Sequence, residues 1–189
     1  MSTRIEKDFE FQSALHFEEQ FLLNHFNITL SIIVETDLLR EQNVAMERLE
    51  HFIYRMLDNG IFVNEIETDM IELYKNAGLK IITLPEEPFD QIIGMALIQK
   101  FNTIMENRLV VTDLLIGSKL SDGVRFTIIG EVSDAIMKNE SWYNRNSLCI
   151  NNFDDKSDKA SKIVKLFEND WAALDLNWKE KVPKGKKTT

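Results

Sequence analysis

The sequence predicts the α/β class (mixed α+β): a mixed sheet of about four strands with helices packed on it, followed by an irregular C-terminal extension. Runs rich in β-branched residues alternate along the chain with longer stretches whose apolar residues recur at helical spacing. The last two β-rich runs flank a loop bounded by glycines, which indicates a hairpin. Strands separated by helices pair in parallel through crossovers, and a hairpin adds an antiparallel edge. We therefore expect a mixed sheet.

The first three elements follow from their residue patterns. The apolar positions of Phe11–Phe26 recur at helical spacing, and this predicts a helix. Asn27–Thr36 is rich in β-branched residues, which predicts a strand covered on both faces. The clearest helical stripe lies in Asn43–Asn59, and the following Gly60 supplies a C-terminal stop.

Two more helices with a strand between them are expected over residues 64–105. The motif N-x-x-E that begins at Asn64 resembles a capping box, and the helix it starts should end at Gly78. Leu79–Pro85 has the composition of a strand. Pro88 suits the first turn of the next helix, which then carries a long apolar stripe.

The predicted hairpin joins Leu109–Ile116 to Val124–Ile129 through the loop between Gly117 and Gly123. Its second strand, VRFTII, is apolar with one charge and is expected to be a sheet edge. An apolar edge must be covered or paired, because its free backbone groups are a template for another strand. We expect cover by the C-terminal region or a homo-oligomer formed through Val124–Ile129.

Three segments are expected along the chain. Residues 1–135 form the α/β domain, and residues 136–178 form an irregular segment that docks on this domain or on a partner. Residues 179–189 are expected to be a disordered basic tail, because they carry five Lys and one Glu among few apolar residues. Within the second segment, residues 160–168 have a pattern that suits two or three helical turns.

Charge and composition exclude several classes of protein. The net charge is −9, and the 178 residues before the basic tail carry −13, so this body should repel nucleic acid and anionic membranes. The single cysteine, Cys149, rules out an internal disulfide and a Cys-based zinc site. Neither a signal-like N-terminus nor a membrane span is present, so we expect a cytoplasmic protein. The composition fits a bacterial or phage source.

The best enzyme hypothesis is a magnesium-dependent phosphate-cleaving site built from carboxylates at strand ends and helix starts. Its four residues are Glu35, Asp37, Asp90 and Asp113. A structural alternative applies to each, since such positions favour polar residues anyway. For Asp113, a hairpin register that pairs Ile116 with Val124 would place Thr127 opposite and Arg125 diagonally, where either could satisfy the carboxylate.

Other catalytic signatures are missing from the sequence. The three histidines, His16, His25 and His51, lack metal-ligand spacing, and no phosphate-binding glycine loop or nucleophile elbow occurs. We therefore expect no metal and no cofactor. The chain is more readily explained as a protein without catalytic activity.

Aromatic residues of the C-terminal extension are the predicted partner-binding residues, because Trp, Tyr and Arg dominate interfaces. They are Trp142, Tyr143, Arg145, Trp171, Leu174 and Trp178. The last three recur at i, i+3 and i+7 and would share one face of a helix. In the alternative, the same aromatic residues pin the extension onto the chain's own core.

The sequence therefore favours a non-catalytic protein–protein interaction function, as an adaptor, inhibitor or assembly component with a protein partner. The alternatives are the magnesium-dependent enzyme and a nucleic-acid-associated protein that binds through its basic tail.

Overall fold

The computed structural model describes residues 3–129, 141–153 and 171–178, and these form a six-stranded mixed sheet with helices on both faces. The strands are β1 (Thr3–Phe17), β2 (Gln20–Val34), β3 (Gly60–Asn64), β4 (Ile81–Leu84), β5 (Leu109–Ser118) and β6 (Arg125–Ile129). The helices are α1 (Leu39–His51), extended by a π-helical segment (Phe52–Leu57), α2 (Thr68–Asn76) and α3 (Asp90–Met105). Short 3-10 turns cover Lys119–Ser121 and Trp142–Asn144.

The sheet order is β4-β3-β1-β2-β5-β6. The pairs β1–β2, β2–β5 and β5–β6 are antiparallel, whereas β3 pairs in parallel with both β1 and β4. The mixed sheet is thus confirmed, and the expected number of about four strands is wrong: β1 and β3 were not anticipated.

The helix predicted over Phe11–Phe26 is wrong, because this segment is the closed end of the long β1–β2 hairpin. Phe11 pairs with Phe26, and Leu15 pairs with Leu22. Phe11, Leu15 and Phe26 belong to the main core, and the partly buried Leu22 packs against it. A tight reversal of two strands therefore leaves core residues four and seven positions apart, and this spacing imitates a helical stripe.

Two apolar cores lie on opposite faces of the sheet. The larger core packs α1 and α3 against β1, β2 and β5 and includes Phe9, Phe26 and Leu114. The smaller core contains Ala14, Ile71 and Tyr74, and it places α2 on the other face. Consecutive residues of a strand point to opposite faces, so Ala14 and its neighbour Leu15 serve different cores.

The hairpin at the end of the sheet has a different register from the one expected. Ile116 pairs with Phe126, and Asp113 pairs with Ile129. The expected partners of Asp113, Thr127 and Arg125, therefore do not face it across the hairpin. The expected boundary at residue 135, the helical turns at 160–168 and the tail 179–189 lie outside the described residues.

Candidate functional site

A cavity of about 390 Å³ lies where the closed end of the β1–β2 hairpin, the start of α3 and the β5–β6 connection meet. The 15-residue arms of the hairpin extend about 50 Å, whereas a 16-residue helix such as α3 is about 24 Å long. Helix α3 therefore leaves part of the sheet's inner face uncovered, and its first turn forms one wall of the space that remains.

The walls of the cavity are mostly apolar. Side chains from both hairpin arms, the β5–β6 connection and β6 form them: Leu15, Phe17, Leu22, Leu120, Val124 and Phe126. At the rim, Phe89 is 52 % exposed and packs edge-on against Phe17, with ring centroids 5.3 Å apart. The exposed rim and buried floor give solvent a route to the interior.

Asp90 is the first residue of α3, lines this cavity and is only 7 % exposed. Its Oδ2 atom has no hydrogen-bond partner among the described residues. Burial raises the pKa of Asp90, and the nearby hydroxyls of Ser118 and Ser121 oppose that shift in part. The net result is a carboxyl group whose proton is held to a higher pH than in water.

Asn24, in β2, contributes a second buried polar group to the same lining and is 5 % exposed. Its Oδ1 atom accepts the backbone N–H groups of His25 at 3.0 Å and Leu120 at 3.2 Å. Because these bonds fix the amide's orientation, the Nδ2 group is the part left over, and it has no partner among the described residues.

Ser118 and Ser121 shape the wall opposite α3. The Ser121 hydroxyl donates to the Ser118 carbonyl at 2.8 Å and lies 2.9 Å from the Val124 carbonyl oxygen, which holds the turn closed. Both serine hydroxyls therefore stay near Asp90 on a fixed segment of backbone. The cavity thus combines an apolar interior with a carboxyl acceptor, an amide donor and two hydroxyls.

The four carboxylates of the expected magnesium site do not come together. Among residues 3–129, 141–153 and 171–178, no group of three or more His, Cys, Asp or Glu side chains could hold a metal ion. Asp113 forms an ion pair with Arg4 at 2.8 Å, across the intervening strand β2. Glu35 and Asp37 are exposed after β2, and Asp90 alone reaches the cavity.

Trp142 and Tyr143 lie in the main core, where each is at most 1 % exposed. The Trp142 indole N–H donates to the Thr83 carbonyl at 2.7 Å, and its ring stacks on Phe52 with centroids 6.2 Å apart. Arg145 is exposed at the end of the same turn. This is the geometry of the pinning alternative, and a partner contact by this segment stays a prediction.

Trp171, Leu174 and Trp178 do not share a helix face. Residues 171–175 form turns, closed by the Leu176 N–H bond to the Trp171 carbonyl at 2.9 Å. The guanidinium of Arg48 lies 4.8 Å from the Trp171 ring centroid and 3.9 Å from that of Trp178. Leu174 is partly buried against the main core, and partner binding through these residues stays a prediction.

The predicted edge, Val124–Ile129, contains β6, which ends the sheet order on one side. Ile129 is 71 % exposed and Val124 is 52 % exposed. None of the described helices is long and apolar enough to cross a membrane.

Comparisons with known proteins give similarity of shape but not of sequence. No family model matches the chain, and no curated protein matches it. An uncharacterised protein from Wolinella succinogenes is similar, with 11% identity and a TM-score of 0.49 over 69% of this chain and 99% of that one. The 6-pyruvoyltetrahydropterin synthases of Plasmodium vivax (10% identity, TM-score 0.46, 70% and 99%) and Plasmodium falciparum (12%, 0.45, 69% and 99%) are also similar.

The expected non-catalytic adaptor, inhibitor or assembly component is contradicted by these similarities, because the similar solved structures include synthases. At such identities and TM-scores, the likeness describes the course of the chain and assigns no role to any residue. Sequence reasoning singled out Asp90 for a metal site but missed Asn24, which was placed in a helix. The segment Phe21–Phe26 contains no β-branched residue, so the sequence carried no local signal for this strand position.

Proposed function

We propose that the cavity binds a small organic molecule with an apolar body, and that Asp90 binds and exchanges a proton with the polar group of that molecule. One observation carries the proposal: Asp90 and Asn24 line the same apolar cavity, and each has a buried polar atom (Oδ2 and Nδ2) that lacks a partner among the described residues. Clefts with apolar walls and a few convergent polar groups are the usual form of small-molecule sites.

The cost of these two polar atoms supports a functional role. A buried donor or acceptor without a partner costs about 1–3 kcal/mol of stability, and more when the group is charged. The backbone donors on Asn24 Oδ1 prevent the amide from turning to satisfy Nδ2 elsewhere. A ligand that offers an acceptor to Asn24 and a partner to Asp90 would recover this energy on binding.

The volume is suited to a ligand of one or two rings. An apolar cavity of about 150 Å³ holds a benzene molecule. The space here is 390 Å³. A carboxyl group with a raised pKa in such a site can act as a general acid or base nearer to neutral pH than an exposed Asp can.

The test is a screen of one- and two-ring compounds against the full chain, observed by NMR through the side-chain amide of Asn24 and the methyl groups of Leu15 and Leu22. We expect shifts at these groups for some compounds, and weaker binding of the same compounds to Asp90→Asn. Asp69→Asn is the matched control, because Asp69 is an exposed residue in the first turn of α2. Binding that Asp90→Asn leaves unchanged would contradict the role of Asp90.

We also propose that the chain forms a homo-oligomer through the Val124–Ile129 edge. The support is the terminal position of β6 in the sheet and the exposure of Val124 and Ile129. Light scattering of the wild type and of Ile129→Glu tests it, with Leu73→Glu on exposed α2 surface as the control. A monomeric wild type at high concentration would refute it.

A further inference from the structure

We infer that the ligand of the cavity is an organic cation: an ammonium or amidinium group on a one- or two-ring apolar body, with an oxygen acceptor near the charge. The inference rests on the proposed function of the cavity and names the chemical class of its ligand. It follows from three features of the lining: the carboxyl group of Asp90, the phenylalanine rings, and the Asn24 Nδ2 group that lacks a partner among the described residues.

The charge of the lining has one sign. Thirteen residues line the cavity, and Asp90 is the one titratable side chain among them. The charged residues on neighbouring elements lie outside the lining: Lys119 and Asp122 are exposed on the β5–β6 connection, and Glu18 and Glu19 lie in the hairpin turn. Arg125 of β6 lines a separate pocket together with Asp8.

An ionised carboxylate in an apolar space needs a counter-charge. No lysine or arginine of the described chain lines this cavity, so a cationic ligand would be the direct partner of Asp90. An anionic ligand would meet repulsion from the same carboxylate. A neutral ligand would either leave the carboxylate unpaired or require it to be protonated.

The aromatic rings favour the same class of ligand. Phe17, Phe89 and Phe126 line the cavity, and aromatic faces attract ammonium groups that have shed their water. The Nδ2 group of Asn24 then needs an acceptor, which a hydroxyl or carbonyl oxygen close to the ligand's charge would supply. An aromatic amino alcohol combines all three features.

The experiment compares four probes of similar size on the full chain: 2-amino-1-phenylethanol, 2-phenylethylamine, 2-phenylethanol and phenylacetate. We expect binding to weaken in that order. The amine should bind about tenfold or more tightly than the neutral alcohol at pH 7, since charge-assisted hydrogen bonds are roughly twice as strong as neutral ones. Binding of both amines should tighten with rising pH as Asp90 ionises.

Two variants and one further comparison separate the outcomes. Asp90→Asn should remove the preference for the amine over the alcohol, and Asp69→Asn should keep it. An amine preference that survives in Asp90→Asn would overturn the inference, because the acidic surface rather than the cavity would then hold the cation.

Different binding results would refute the cationic ligand and the small-molecule site. If 2-phenylethanol shifts the Asn24 amide as strongly as the amine does at equal concentration, the cation is wrong and the cavity still binds small molecules. If none of the four probes shifts the Asn24 amide or the Leu15 and Leu22 methyl groups at 10 mM, both the inference and the proposed function are overturned.

Discussion

Raising the pH from 7 to 10 is expected to stabilise the fold through one buried side chain, Lys100 of α3. Its ammonium group is fully buried and donates to the carbonyls of Trp142 at 2.9 Å and Arg145 at 2.8 Å. The rings of Phe52 and Trp142 lie 5.2 and 5.6 Å from Nζ. Burial lowers the pKa of Lys100 to about 8, while Cys149 raises it and Arg145 lowers it further.

The sign and size follow from proton linkage. Between pH 8 and the ordinary pKa of 10.5, the unfolded chain holds a proton that the folded chain has released, so the free energy of unfolding rises with pH. At 1.36 kcal/mol per pKa unit the full shift corresponds to about 3 kcal/mol, most of which falls between pH 7 and pH 10. The neutral amine keeps two N–H donors, so both carbonyl bonds survive.

Urea unfolding of the wild type and of Lys100→Met at pH 7, 8, 9 and 10 measures this effect. Titrating groups that do not interact with Lys100 are common to both proteins and cancel in the difference. We expect the wild type to gain roughly 2–3 kcal/mol relative to Lys100→Met over this range, whereas Lys75→Met, at an exposed position, should parallel the wild type. A wild-type to Lys100→Met difference that is constant with pH would refute the reasoning.

Three further predictions concern other buried positions. Arg48→Met should cost about 2–5 kcal/mol in urea unfolding and alter tryptophan fluorescence, because two backbone carbonyls lose their donor and the Trp178 ring loses its cation; unchanged fluorescence would contradict this. Gly94→Ala should lower the free energy of unfolding by roughly 1 kcal/mol although alanine has the better helix propensity, because the new Cβ would lie 3.0 Å from Ile128 Cγ1. A melting temperature above that of the wild type would contradict this overpacking. The wild type should lose stability as pH rises, because the raised pKa of Asp90 lets the folded state hold a proton that the unfolded chain has released. Asp90→Asn should lack this loss and should be more stable than the wild type at pH 7. Thermal melts from pH 4 to 7 that run parallel for the two proteins would contradict this prediction.

Most helices and the later strands could be predicted because their signals are local. The stripe of α1, the proline before α3 and the glycines of the last hairpin each lie within a few residues of the element they specify. The β1–β2 hairpin could not be found in this way, because its turn at Glu18 and Glu19 contains neither glycine nor proline. Both residues adopt positive φ (47° and 60°), a conformation that glutamate seldom takes.

The candidate site was only partly visible in the sequence because it is assembled from distant segments. Asp90 was noticed for its charge at a helix start, but its neighbours Asn24 and Ser118 lie 66 positions before and 28 positions after it. Their meeting depends on the pairing of β2 with β5 in register, where Phe26 is opposite Ser118. No spacing rule along the chain encodes that pairing.

Two pairs of buried polar side chains among the described residues have opposite consequences. Lys100 and Arg48 donate to backbone carbonyls, and both tie C-terminal residues to the helical face of the sheet. Asp90 and Asn24 line one cavity, and their Oδ2 and Nδ2 atoms are without partners among the described residues. Substitution of the first pair should therefore lower stability, whereas substitution of Asp90 should raise stability and weaken ligand binding, since stability is commonly given up at functional sites.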